Sequence, residues 1–451
     1  MVRCGESHSR WRTGLMAVES LGRALVHRNY RLFLLGQGIS LIGTWMQQVA
    51  LAWLLYRLTG SPALLGMISF ASQIPSLILS PLAGVAADRW NRHRALFVTQ
   101  GLSMIQSILV VVVVYSGGDL VWKLVGLGFL LGLINAFDMP LRQSFLTEMV
   151  PDRQHLSNAI ALNSSIVNGA RLIGPSLAGL VIAAWGESVC FLLNAVSYVA
   201  VLAALWGMRD LPVRVSTQHG SALEGLKEGL AYAFRFAPLR VLLMLLAVMS
   251  FMAMSTSVLI PVFAKDLLRG DAHTQGFLMG SSGIGALAAA LYLASRKSVL
   301  GLGRAILFAA FFYGVSLIAF SYSIQLIYSL PIMMVSGFCM MLLMASTNTL
   351  IQTITEEDKR GRVMSLYAMA FTGVAPLGSL FGGTLAAQIG APATVRLCGA
   401  ICIAASFSYG VQLPRLRSLV RPIYEAAGIL PKPVSTTASI ETGLPTGVHQ
   451  H

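Results

Sequence analysis

Nine stretches of this chain run without a single Asp, Glu, Lys or Arg: 32–56, 58–87, 95–115, 188–208, 241–264, 274–295, 305–355, 363–395 and 397–414. A helix rises about 1.5 Å per residue and the hydrocarbon core of a bilayer is about 30 Å thick, so each run is long enough to cross it. The 305–355 run is long enough to cross twice, with Ser321-Tyr322-Ser323 as its turn, and Gly390-Ala391-Pro392 ends the helix in 363–395. Two further segments, 121–149 and 157–185, are apolar but carry charges; with them the expected total is twelve spans. The fold class expected is an all-α membrane protein.

Composition agrees. Of 451 residues, 55% are hydrophobic and only 11% charged, and the mean hydropathy is +0.71. Soluble domains sit nearer about 25% charged, which excludes an ordinary soluble enzyme. Cys4, Cys190, Cys339, Cys398 and Cys402 form no CxxC pair or His/Cys cluster, so they read as small hydrophobes, with no metal site and no disulfide frame. Residues 1–31 are basic but lack a short apolar core ahead of a small-residue cleavage site. The expectation is that no signal peptide is cleaved and that the first span directs insertion.

An even number of spans leaves both ends on one side. Of 32 Lys and Arg, four (Arg57, Lys123, Lys265, Arg269) fall on the opposite side and three (Arg142, Arg171, Arg396) within spans; the rest share the side of the termini. The positive-inside bias makes that side cytoplasmic. The formal charge of +14 is therefore an insertion signal split among short loops, and no nucleic-acid partner is expected. The expected division is a cytoplasmic arm 1–28, a six-helix bundle 29–208, a cytoplasmic linker 209–238 with a helix-compatible stretch 222–236, a second bundle 239–414, and a disordered tail 415–451. Gly169, Gly174, Gly179 and Gly186 align with Gly373, Gly378, Gly382–Gly383 and Gly390 at a constant offset of 204 residues. Such a repeat points to two pseudo-symmetric halves.

After the second span the chain reads Gly84, Asp88, Arg89, Arg92 and Arg94 in a G-x3-D-R-x2-R-x-R pattern. A carboxylate at that interface can sit against a helix N-terminus or accept an Arg fork, and so latch one conformation. The pattern resembles motif A of the major facilitator superfamily, with Asn91 and His93 in place of the usual Gly and Lys. In the fifth span, Ala170 to Gly179, with Gly174, Pro175 and Gly179, resembles that superfamily's motif C, with Ala170 and Ala178 at two Gly positions. That resemblance implies proton-coupled antiport. The segments 43–48, 135–143, 158–164 and 362–367 are similar to the enterobactin-exporter branch, whose members export siderophores or drugs from bacterial cytoplasm. The likeness covers about 28–415 and implies a multi-pass protein of the bacterial inner membrane.

Charges inside a membrane are costly and mark functional candidates. Asp138 lies toward the cytoplasmic half of the fourth span with Arg142 one turn on, and the pair is expected at a cytoplasmic gate together with Asp88. Arg171 is deeper and shares a helical face with Ser164, Asn168 and Pro175. That face, the stripe Gln37, Thr44 and Gln48 in the first span, Asn348 and Gln352 in the tenth, and Thr372 in the eleventh are the expected cavity walls, with Arg171 attracting an anionic group. The Met-rich tenth span adds an apolar wall. No Walker, HExxH or GxSxG pattern is present. The function expected is a secondary transporter, not an enzyme, working as a monomer in the lipid bilayer without a cofactor. It would export an amphipathic small molecule by alternating access, driven by the proton gradient through antiport. An importer, a uniporter and a transport-inactive membrane protein stay open at this level.

Overall fold

The structure, a computed structural model, describes residues 23–150, 152–209, 222–296, 298–426 and 428–430. Among them lie twelve helices long and apolar enough to cross a membrane. In chain order they are α1 (Arg28–Thr59), α2 (Pro62–Arg89), α3 (Arg92–Ser116), α4 (Leu120–Met149), α5 (Arg153–Trp185) and α6 (Glu187–Trp206). The second set is α7 (Ala237–Ser257, continued by short turns to Leu267), α8 (Ala272–Ser295), α9 (Leu302–Tyr322) and α10 (Leu326–Ile354). It closes with α11 (Arg360–Ala368 and Ala375–Ile389, joined by a π-turn, Met369–Gly373) and α12 (Ala391–Ala426). Helices satisfy their own backbone hydrogen bonds, the condition for crossing hydrocarbon. Large apolar side chains such as Leu35, Ile39, Phe312, Phe407 and Val411 face outward, where lipid replaces water.

The turns fall where the sequence allows nothing else. Gly60 closes α1 at φ 59°, and Gly186 and Gly390 end α5 and α11 at φ 86° and 83°. The last two are partners in the 204-residue repeat, so one turn is built twice. Asn91 caps α3 by accepting the amide of Arg94 at 3.0 Å, and Asp271 caps α8 through His273 and Thr274.

Repeat symmetry continues in the packing. A side chain at Gly174 would meet the Ile42 carbonyl on α1, and one at Gly378 would meet the Phe251 carbonyl on α7. Small residues let helices approach to backbone distance, which is how membrane helices gain contact without a hydrophobic drive. Pro140, Pro175 and Pro331 sit inside helices, each removing one hydrogen bond that neighbours in a packed bundle compensate.

Two details differ from or extend the sequence reading. The tail was expected to begin at 415, yet α12 continues through Pro414 and Pro422 to Ala426. On its apolar side Leu413 and Leu416 are buried in the core and Val420 and Tyr424 pack against it. Residues 431–451 lie outside the described residues. The linker contains a helix, Ala222–Arg235, held to the start of α11 by Glu228 and Arg362 at 2.6 Å and by Lys359, just before α11, over the Tyr232 ring at 4.7 Å.

Candidate functional site

The two halves meet along two helix pairs, α2 with α11 and α5 with α8. A Cβ at Gly66 would meet the Ser379 carbonyl at 2.6 Å, and one at Gly383 would meet Gly66 Cα at 2.7 Å. On the other side of the seam, a Cβ at Gly276 would meet the Pro175 carbonyl at 2.7 Å and one at Gly179 the Ala272 carbonyl at 2.9 Å. Gly179 and Gly383 are repeat partners, as are Pro175 and Ser379, so both seams use the same device. The four glycines lie only four to six residues, or about 6 to 9 Å, from the helix ends on the face opposite the termini.

At that far face the closure is reinforced. Tyr56 at the end of α1 donates its phenolic proton to Asp266, which the π-turn Phe263–Leu267 presents from the second half. Lys265 stands over the same ring at 5.4 Å, and the Gln275 amide donates to the Val49 carbonyl at 3.4 Å. Toward the face of the termini, a Cβ at Gly373 of the π-turn in α11 would meet Leu77 of α2 at 3.0 Å, about 24 Å in from the end of α11.

Arg171 lies between these seams and the terminal face. It projects from α5 on the side opposite Ile173, Leu177 and Leu180, with its guanidinium 5.8 Å from the Trp45 ring and within electrostatic reach of Tyr313 in the other half. The residue remains exposed although protein surrounds it. It therefore opens into space between the halves. Ser164 is exposed on the same face, and Asn168 donates to its carbonyl at 2.9 Å. On α1, Gln48 is exposed and stands nine residues, or half a helical circle, from the lipid-facing Ile39, so it points inward. Thr44 spends its hydroxyl proton on the Ser40 carbonyl at 2.9 Å. Gln37 is buried, at 3% exposure, and is no part of an open wall. In the second half Asn348 and Gln352 hydrogen-bond to one another, and Thr372 donates to the Ala368 carbonyl within the π-turn.

Among the described side chains of the expected gate, two ion pairs form. Asp138, 2% exposed, accepts from Thr99 and Gln100 at 2.7 Å each and from Arg142; these partners all belong to α3 and α4. Arg92 instead pairs with Glu148 at 2.7 Å, tying the start of α3 to the end of α4. His93, in the motif A Lys position, makes a 2.8 Å hydrogen bond to the Leu205 carbonyl of α6, and Arg94 is exposed. The side chains of Asp88 and Arg89, and the surroundings of Gly84, lie outside what is described.

A second buried network escaped the sequence reading. Ser107 donates to Gln47 at 2.7 Å, Asn194 to Gln47 at 2.8 Å, and Gln47 to Gln106 at 3.2 Å. The signal was present in α3: Thr99, Gln100, Ser103, Gln106 and Ser107 recur at helical spacing inside an otherwise apolar run. Together the two networks run a polar core through the first bundle.

Two six-helix halves, joined at glycine seams around an accessible polar interior, define a transporter of the major facilitator type. Residues 23–430 match the family described as transmembrane secretion effector, and the chain belongs to that family. It is 26% identical to the staphyloferrin A transporter of Staphylococcus aureus, over 82% of this chain and 92% of that one. It is 27% identical to the multidrug efflux pump Tap of Mycolicibacterium fortuitum, over 84% and 93%. With macrolide efflux protein A of Streptococcus pyogenes the identity is 24%, over 82% and 92%. Among solved structures the fold is shared with a peptide transporter of the POT family, at TM-score 0.70, 13% identity and 86% and 95% coverage. It is also shared with a bacterial homologue of the lysosomal transporter Spinster, at TM-score 0.62, 14% identity and 90% and 99% coverage. The protein is thus a multi-pass protein of the bacterial cell membrane.

Proposed function

We propose that this transporter exports an amphipathic small molecule, siderophore-like or drug-like, from the cytoplasm in exchange for protons. The carrying observation is that the halves are packed to backbone contact at one end while Arg171 stays accessible between them. The Lys and Arg bias supports placing the face of the termini in the cytoplasm, so this is the cytoplasm-facing state of an alternating-access cycle. Substrate then enters from the cytoplasm, and an anionic or strongly polar group on it meets Arg171. The apolar remainder packs on Trp45 and the Met-rich wall of α10. Export requires the Tyr56–Asp266 contact and both glycine seams to part while the cytoplasmic ends close, with Asp88 of α2 as the latch of the closed cytoplasmic side. Both seams and the polar interior lie within one chain, which favours a monomer as the working unit. The halves are residues 29–208 and 239–426, and the linker helix rides with the second through Glu228 and Arg362.

The resemblance to motif C and the efflux pumps among the relatives support antiport over uniport. The test is purified protein in liposomes loaded with a pH-sensitive dye, challenged with siderophores, macrolides, tetracyclines and cationic dyes. Proton movement that depends on one compound and disappears in Asp88→Asn is expected. Compound flux with no proton movement would overturn antiport, and flux undiminished in Asp88→Asn would overturn the latch.

A further inference from the structure

A cavity of about 380 Å³ opens in the second half at the face of the termini, well away from the seams. It is walled by the near ends of α7, α9, α10 and α12, where Leu242, Leu350 and Leu416 make an apolar floor and Arg304, Arg417 and Arg421 approach from the rim. Its size is that of a small-ligand pocket. α9 and α12 pack on one another through Gly314 and Gly399, and α12 turns Phe407 and Val411 outward to lipid. Tyr409, Leu413 and Leu416 lie on the face of α12 opposite Phe407 and Val411, so the cavity sits inside the base of the second half and opens at the membrane surface, with Arg304, Arg417 and Arg421 at its mouth.

Three features distinguish it from a packing gap. Arg304 and Arg417 are exposed and pair with no carboxylate among the described residues, whereas Arg421 is held by Glu425 at 2.8 Å. Tyr409 is only 3% exposed, lines the cavity, and its hydroxyl makes no hydrogen bond among the described residues. Gly303, beside it in the first turn of α9, leaves room at the wall, since a Cβ there would meet Leu413 at 3.2 Å and the Tyr409 hydroxyl at 3.4 Å. An apolar floor, a phenol hydroxyl open to the cavity and two guanidinium groups at its mouth match a ligand with a hydrocarbon part and an anionic head. The membrane beside α12 supplies one.

We infer that this cavity is a binding site for an anionic phospholipid of the adjoining leaflet, its phosphate held by Arg304 and Arg417 and its upper acyl chain on Leu242, Leu350 and Leu416. Guanidinium groups suit phosphate because their paired N–H donors match its oxygens. Occupied in this way, the site would pin the near ends of α9 and α12 to those of α7 and α10 and stiffen the base of the second half.

Native mass spectrometry of the full chain released from micelles, with phosphatidylglycerol or phosphatidylcholine added at equal amounts, tests it. One retained phosphatidylglycerol per chain is expected, with retention falling roughly 25-fold in the double variant Arg304→Gln/Arg417→Gln, about fivefold for each cation removed. Arg396→Gln, a cation at the other end of α12 over Tyr322, should leave retention unchanged and controls for general charge loss. Unfolding temperature rising with phosphatidylglycerol in the wild type but not in the double variant gives a second readout. Equal retention of phosphatidylcholine, undiminished retention in the double variant, or the same thermal rise with inorganic phosphate alone would each overturn the assignment. So would a full chain that retains no lipid, leaving the cavity to residues 431–451 or to a transported compound.

Discussion

Tyr56, on the last turn of α1, gives its phenolic proton to Asp266 across the junction of the two halves, and Lys265 stands over the same ring. One residue of the first half thus meets a neighbouring cation and anion of the second, at the face that has to open for release.

Removing that hydroxyl should bias the cycle. A hydrogen bond to a charged group contributes about 1.5–3 kcal/mol, so Tyr56→Phe is expected to raise the population open at the far face roughly tenfold or more. Spin-label distances across the far ends of α1 and α7 would show a second, longer component. An unchanged distance distribution would mean that the contact is incidental to closure.

The glycine seams leave no room for a methyl group. In Gly276→Ala the new Cβ would meet the Pro175 carbonyl at 2.7 Å, and the neighbour is backbone, which cannot swing aside. Transport is expected to fall about tenfold or more with the protein still inserted and monodisperse, and the far ends of α5 and α8 should stand further apart. Normal transport in Gly276→Ala and Gly66→Ala together would contradict the seam.

Arg171 should sort substrates by charge. Arg171→Gln is expected to lower flux of anionic compounds at least tenfold, a loss of about 1.4 kcal/mol or more of binding, while neutral and cationic compounds lose little. Equal loss for all compounds in the liposome assay would assign Arg171 to packing on Trp45.

The Asp138–Arg142 pair is expected to stabilise the first bundle. Breaking a buried pair from one side costs about 3–5 kcal/mol because the remaining charge is left without its partner. Arg142 already has its Nε buried without a hydrogen-bond partner, and its side chain is 26% exposed, so the lower end is expected. Asp138→Asn should lower the unfolding temperature in detergent clearly, and Asp138→Asn/Arg142→Gln should recover part of it. A double variant no better than the single would show that the pair is not coupled.

Much of this was legible before any coordinates. Spans are set by uninterrupted apolar length, and Gly186 and Gly390 declare the repeat because each needs a positive φ. Gly179 and Gly383 do so because each meets a helix backbone. Pairing was not legible: Arg92 finds Glu148, 56 residues on, a carboxylate outside the motif that had marked Arg92. Gln37 and Gln48 sit on one stripe, yet one is buried in the bundle and the other faces open space, a distinction made by neighbouring helices. The α3 network was missed because attention to charges passed over Gln and Ser, which can hydrogen-bond inside a bundle without any ionised group. The helix beyond Pro414 was missed because the span was ended where the charge-free run stops, at Arg415, although Leu416 and Val420 go on packing against the core.

The most direct test of the central claim is to lock the far face. With the native cysteines replaced, Tyr56→Cys and Asp266→Cys would place thiols on the two residues that meet across the far face, for bridging by a short bifunctional methanethiosulfonate whose disulfides can be reduced. Bridging is predicted to stop transport in liposomes, and reduction to restore it, because release requires that face to part. Undiminished transport by the fully bridged protein would contradict alternating access through this face.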